Sequence, residues 1–119
     1  MKGKDAFEKA ERLLKERFPK ESLKWYSQAI ESEPTNAHYY SQRGVAFFHL
    51  KNYDEALYDL NKAVDLEPKN PYRYSSRAYI LNHLKRIDDA IKDYKMAIKL
   101  DPADAVAPNL QPRFGTVGA

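Results

Sequence analysis

The sequence predicts an all-α fold, a stack of helical hairpins of the α-α solenoid kind, and three observations carry that expectation. The stretch LKNYDEALYDLNKAVDLEP from Leu50 to Pro68 returns as LKRIDDAIKDYKMAIKLDP from Leu84 to Pro102, offset by 34 residues. A fixed period of about 20–50 residues marks a stacked repeat architecture. Within each period the apolar residues fall at spacings of three and four, which suits amphipathic helices. A proline, Pro68 or Pro102, closes each copy.

The elements follow in chain order. From Ala37 to Leu50, the positions Tyr40, Arg43, Gly44, Phe47 and Phe48 lie on one helical face. From Tyr53 to Leu66, Ala56, Leu57, Leu60, Ala63 and Val64 make a second amphipathic helix, which Pro68 stops. Asn70-Pro71 opens the next one, with Asn as N-cap and Pro at the first helical position, where its missing N–H costs nothing. Asp54-Glu55 and Asp88-Asp89 occupy the first turns of the second helices, at the positive dipole end. Small residues at Gly44/Ala78, Ala56/Ala90 and Ala63/Ala97 let helices approach closely. Large ones at Tyr40/Tyr74, Phe47/Leu81 and Leu60/Tyr94 fill the space beside them. A hairpin of this kind cannot bury its apolar face alone, so hairpins must stack.

Arg43 and Arg77 interrupt otherwise apolar stretches. Asp59 and Asp93 recur at the same period on the following helices, so the expected role of the arginines is a structural ion pair rather than anion binding.

Composition bounds the function. The chain has 119 residues, 31% charged and 43% hydrophobic, as in an ordinary folded domain. No apolar run reaches the roughly 18–20 residues of a membrane helix. The amino-terminal MKGKDAFEKAERLLKERF mixes acids with bases, unlike a signal or transit peptide, so the expected compartment is the cytoplasm. Cysteine is absent, which removes disulfides and thiolate metal sites. The net charge of +3 is spread by alternation rather than clustered, which argues against nucleic-acid binding. There is no glycine-rich phosphate loop, HExxH or GxSxG motif, and no enzyme or cofactor is expected. A zinc site built from His38, His49 and His83 lacks a fourth protein ligand in evident position.

The repeating pattern resembles the tetratricopeptide repeat. That family's 34-residue unit carries small residues at its eighth, twentieth and twenty-seventh places and a closing proline. The resemblance is close over residues 37–70 and 71–104. Over 3–36, Ala10, Ser22, Ala29 and Pro34 match, with Trp25, Tyr26 and Ile30 on the apolar side, but Phe18-Pro19 replaces the usual turn and Ala6 stands where a large residue is usual. The resemblance implies three repeats in a domain spanning 1–104, wound as a right-handed superhelical stack, followed by an irregular tail at 105–119.

It also implies a non-catalytic scaffold that binds a peptide or partner helix in a concave groove lined by the first helix of each hairpin. Family contact places fall on Lys4, Phe7, Glu11, Leu14 and Lys15, then on His38, Ser41, Val45, Phe48 and His49. In the third repeat they fall on Tyr72, Ser75, Tyr79, Asn82 and His83. Phe7, Phe48, Tyr72 and Tyr79 would give contact area, and Ser41, Gln42, Ser75 and Asn82 hydrogen bonds. Lys15 lies on the same face, and His38, His49 and His83 would add a pH dependence.

The segment from Tyr26 to Arg43 looks like chaperone-organising members, which grip a terminal carboxylate in a two-carboxylate clamp. The clamp positions here hold Phe7, Glu11, Gln42, Tyr72 and Ser76, so its cations are missing and Glu11 would repel a carboxylate.

The tail reads ADAVAPNLQPRFGTVGA, and Pro108, Pro112, Gly115 and Gly118 allow at most a turn near Asp104 to Ala107. The edge formed by Ile91, Tyr94 and Ile98 would then be poorly covered. The chain could be a piece of a longer array or end in a non-native tail. Otherwise that edge would make a homo-oligomer, or Leu110 and Phe114 would lie back on the protein. An RNA-binding helical repeat is the remaining alternative, with a steep salt dependence as its signature.

Overall fold

The computed structural model describes residues 2–102, and the expectations for the tail lie outside them. Six helices appear among the described residues: α1 (Lys2–Lys15), α2 (Pro19–Ser32), α3 (Ala37–His49), α4 (Tyr53–Leu66), α5 (Pro71–His83) and α6 (Ile87–Leu100). No strand occurs among the described residues. The chain divides into two compact units, Met1–Glu67 and Pro68–Ala119. In the first, α1 pairs with α2 and α3 with α4, α2 packs on α3, and α1 touches α3. In the second, α5 pairs with α6.

The small-residue positions are the points of closest helix approach. Ala10, Ser22 and Ala29, then Ala56 and Ala63, then Ala78, Ala90 and Ala97 are all essentially sealed from solvent. At Gly44 a Cβ would come within 3.1 Å of the Ala56 carbonyl oxygen and 3.2 Å of the Leu60 side chain. That is the spacing a glycine permits between α3 and α4. Ser22 satisfies its buried hydroxyl by donating to the Pro19 carbonyl at 2.6 Å.

The helix starts follow the cap chemistry. The Asn70 side chain accepts from Tyr72 N at 2.9 Å. One period earlier Asn36 accepts from His38 N at 3.1 Å and Tyr39 N at 3.4 Å. The entries to α3 and α5 are also tied by a tyrosine: Tyr40 donates to the Pro34 carbonyl at 3.0 Å, and Tyr74 to that of Pro68 at 2.8 Å. The closing proline thus stops one helix and offers a carbonyl to the next.

The expectation that Phe18-Pro19 replaces the usual turn is corrected. Phe18 N donates to Leu13 O at 2.8 Å, as Asn52 N does to Phe47 O and Arg86 N to Leu81 O, both at 2.9 Å. All three turns are Schellman caps. Their left-handed residue is never glycine: Arg17, Lys51 and Lys85 stand at φ 71, 63 and 67. Pro19 fits because the first helical position needs no N–H. The missing bulk at Ala6 is also made good, since Phe7 and Trp25 pack on the buried cluster of Ala6, Ile30, Tyr39 and Tyr40.

A side chain in the left-handed region costs about 1 kcal/mol relative to glycine. Lys51→Gly and Lys85→Gly are each expected to stabilise the protein by about 0.5–1 kcal/mol, part of the gain being offset by the freer unfolded chain. Urea unfolding should show a raised midpoint with an unchanged slope.

Candidate functional site

The two arginines are placed by packing. Arg43 on α3 reaches Asp59 on α4 through Nε at 2.8 Å and Nη2 at 2.9 Å. Arg77 on α5 reaches Asp93 on α6 at 2.7 and 2.8 Å in the same two-pronged way. Asp59 is completely buried. Its two accepted bonds push the Arg43 guanidinium above its already high value, so this arginine stays charged. The pairs are structural, as their shared period predicts.

In the first unit the α1–α3 face is organised around Phe7 and Glu11. The Phe7 ring stacks on Tyr39 at 4.7 Å between centroids and tilts against His38 at 5.2 Å and Tyr26 at 5.9 Å. One turn further along α1, the Glu11 carboxylate accepts from Gln42 Nε2 at 2.8 and 3.1 Å. It also accepts a hydrogen bond from the hydroxyl of the fully buried Tyr26. Burial first, then that carboxylate, pushes the Tyr26 phenol far above its ordinary value of 10.0. Tyr39 shifts in the same direction, through burial and its bond to Glu33 at 3.2 Å. At the far end of this face, Leu14, Lys15, Arg17, Pro19 and His49 line an open cleft of about 470 Å³. Phe48 lies beside it, its ring 5.9 Å from His49 and 5.8 Å from Tyr53.

The structure therefore brings Phe7 to His38 and Lys15 to His49. Gln42 is half-buried and spends its amide on Glu11. Ser41 is a correction. It is 1% exposed and cannot meet a ligand, because Ala37, Tyr40, Ser41 and Gly44 form one stripe at helical spacing that faces the packing. His38 and His49 open and close α3, eleven residues or about 16 Å apart, so they cannot share one metal ion. Arg17 and Tyr39 are residues the sequence reading missed. Arg17 could have been found from its period, since Lys51 and Lys85 repeat its basic character at the same turn.

In the second unit Tyr72 and Tyr79 are about half exposed. Tyr79 lies 4.5 Å from the His83 ring, and His83 Nδ1 is 3.1 Å from the Tyr79 carbonyl. Asn82 is exposed and Ser75 half-buried. On α6, Ile87, Ile91 and Ile98 are exposed and Tyr94 is half-buried, which makes a stripe at helical spacing.

The tetratricopeptide repeat family model matches residues 37–70 and 71–104. The chain belongs to the tetratricopeptide repeat family. No curated protein matches it. Among solved structures it is similar to the first tetratricopeptide domain of Spaghetti (RPAP3), bound there to the HSP90 peptide SRMEEVD. The TM-score is 0.81 at 25% identity, over 99% of this chain and 94% of that one. The TPR2B domain of yeast Sti1, in its complex with pHsp70, gives 0.80 at 26% identity, over 85% and 81% of the two chains. The Arabidopsis OM64 domain gives 0.76 at 28%, over 86% and 84%. No helix among the described residues is long and apolar enough to cross a membrane.

Proposed function

We propose that the chain is a non-catalytic protein-interaction module that binds a peptide or partner helix on the face formed by α1 and α3. One observation carries this reading: in the first unit that face sets an anchored aromatic (Phe7), a fixed carboxylate (Glu11) and a basic cleft (Lys15, Arg17, His49) in one row. Rigid aromatics give area and preset polar groups give register, which is what peptide recognition needs. The peptide complexes of the similar Spaghetti and Sti1 domains support it. The α5 residues Tyr72, Tyr79, Asn82 and His83 offer a second aromatic and polar patch in the second unit.

Amide NMR shifts on adding a pooled peptide library test the reading. Movement of the Phe7, Gln42 and His49 amides is the expected result. Movement confined to α6, or none at any peptide concentration, would remove it.

A second reading rests on the α6 stripe, whose exposed isoleucines suit self-association. Sedimentation velocity over a concentration series, with Ile91→Glu as control, separates the two. A monomer at all concentrations leaves the α1–α3 face as the site.

A further inference from the structure

One end of the α1–α3 face gathers basic side chains. Lys15 ends α1, Arg17 holds the left-handed turn after it, and His49 ends α3. They line the cleft with Leu14 and Pro19, and among the described residues no carboxylate lines it. Lys15 and Arg17 are exposed, and among the described residues neither enters an ion pair. The Arg17 backbone is fixed by Arg17 N to Leu14 O at 3.0 Å and the Phe18 N to Leu13 O bond beside it, so the basic group has a defined base. A basic residue in a last turn often only offsets the helix dipole. That accounts for Lys15, and Lys51 and Lys85 repeat the basic residue of Arg17 at the same turn, but neither accounts for Lys15 and Arg17 meeting His49 over an apolar floor.

The middle of the face has the opposite character. Glu11 is pinned by Tyr26 and Gln42, and it sits one turn, about 6 Å, from Lys15 along α1. An extended peptide advances about 3.3 Å per residue and shows alternate side chains to one face. Residues two apart in such a peptide would span the distance from Glu11 to the cleft.

We propose that the Lys15–Arg17–His49 cleft seats the side-chain carboxylate of a bound peptide, and that Glu11 excludes an acid two residues away. The ligand is then an internal acidic segment with a set register. This rests on the peptide-binding reading above and names the chemistry of that site. It differs from a grip on a chain end, because the cations here are displaced from the clamp positions held by Phe7, Glu11, Gln42, Tyr72 and Ser76.

The test is a positional-scanning library of short peptides, made in parallel with amidated and with free C-termini, read by fluorescence anisotropy on the full chain and on the Lys15→Glu/Arg17→Glu double variant. Both sites are exposed, so the fold should survive; if circular dichroism shows otherwise, Lys15→Ala/Arg17→Ala takes its place. The expected result is enrichment of Asp and Glu at one position and their depletion two residues along. The best acid-bearing peptide should lose about tenfold in affinity on the double variant, as two partly solvated ion pairs would give. Its Asn or Gln counterpart should bind both proteins equally. Peptide binding without acid preference, or a preference that survives the double variant, overturns the cleft assignment and leaves the groove intact. A preference seen only with a free C-terminal carboxylate also overturns it. Failure to bind any peptide removes the groove reading and this one together.

Discussion

Arg43→Met is expected to destabilise the protein by about 3 kcal/mol at neutral pH, the lower end of what breaking a buried ion pair costs. For a domain of this size that is a fall in Tm of roughly 10–20 °C. The loss comes less from the missing attraction than from what remains. The Asp59 side chain is 1% exposed, and with Arg43 gone its carboxylate has no cation beside it. Arg77→Met should cost less, because the Asp93 side chain is 9% exposed and water can reach it. Thermal unfolding of the two variants side by side checks the order.

The pH dependence carries a sign. Burial already pushes the Asp59 carboxyl up, and Arg43 is what opposes that. In the variant nothing opposes it, so a folded-state value already above the unfolded one rises further. A group shifted that way contributes its stability below the unfolded value and loses it as pH rises through the folded one. The deficit of Arg43→Met should therefore shrink toward pH 4 and be largest at neutral pH. An Arg77→Met protein that keeps its Tm and loses peptide binding would instead move that arginine into the recognition surface.

How much of this was legible in the sequence depended on what repeats. Gly44, Ala56 and Ala63 have counterparts one period on, and side-chain size alone decides how closely helices approach, so the packing could be read directly. The arginine–aspartate pairs were legible for the same reason, because both partners recur together. Glu11 and Gln42 lie 31 residues apart and form a pair that no period announces. Only the contact between α1 and α3 creates it. The Schellman turn at Arg17 was hidden because Phe18-Pro19 differ from Asn52-Tyr53 and Arg86-Ile87, although the basic residue and the backbone bonds recur. Ser41 was misplaced by a family position, although its own neighbours at helical spacing put it on the buried stripe.

Glu11→Ala is expected to cost about 2–3 kcal/mol, a large effect for a partly exposed carboxylate. Two donors lose their acceptor at once: the hydroxyl of Tyr26, which is fully buried, and the Gln42 amide. A buried donor left unsatisfied costs about 1–3 kcal/mol. Tyr26→Phe removes the donor along with the bond and should cost only about 1–2 kcal/mol, so a double-mutant cycle should show the two changes to be strongly coupled. The same contact fixes a response to alkali. The folded-state value of Tyr26 lies above the ordinary 10.0, so its contribution is fully present below that pH. Above it the unfolded chain releases the proton and the folded one does not, and stability falls. Tyr26→Phe should flatten that fall, as seen in denaturant midpoints on either side of the tyrosine range. If Glu11→Ala leaves the midpoint unchanged and alters only peptide selectivity, the carboxylate serves the ligand and not the fold. If it lowers the midpoint and also admits an acid opposite it, one carboxylate both ties α1 to α3 and filters what binds there.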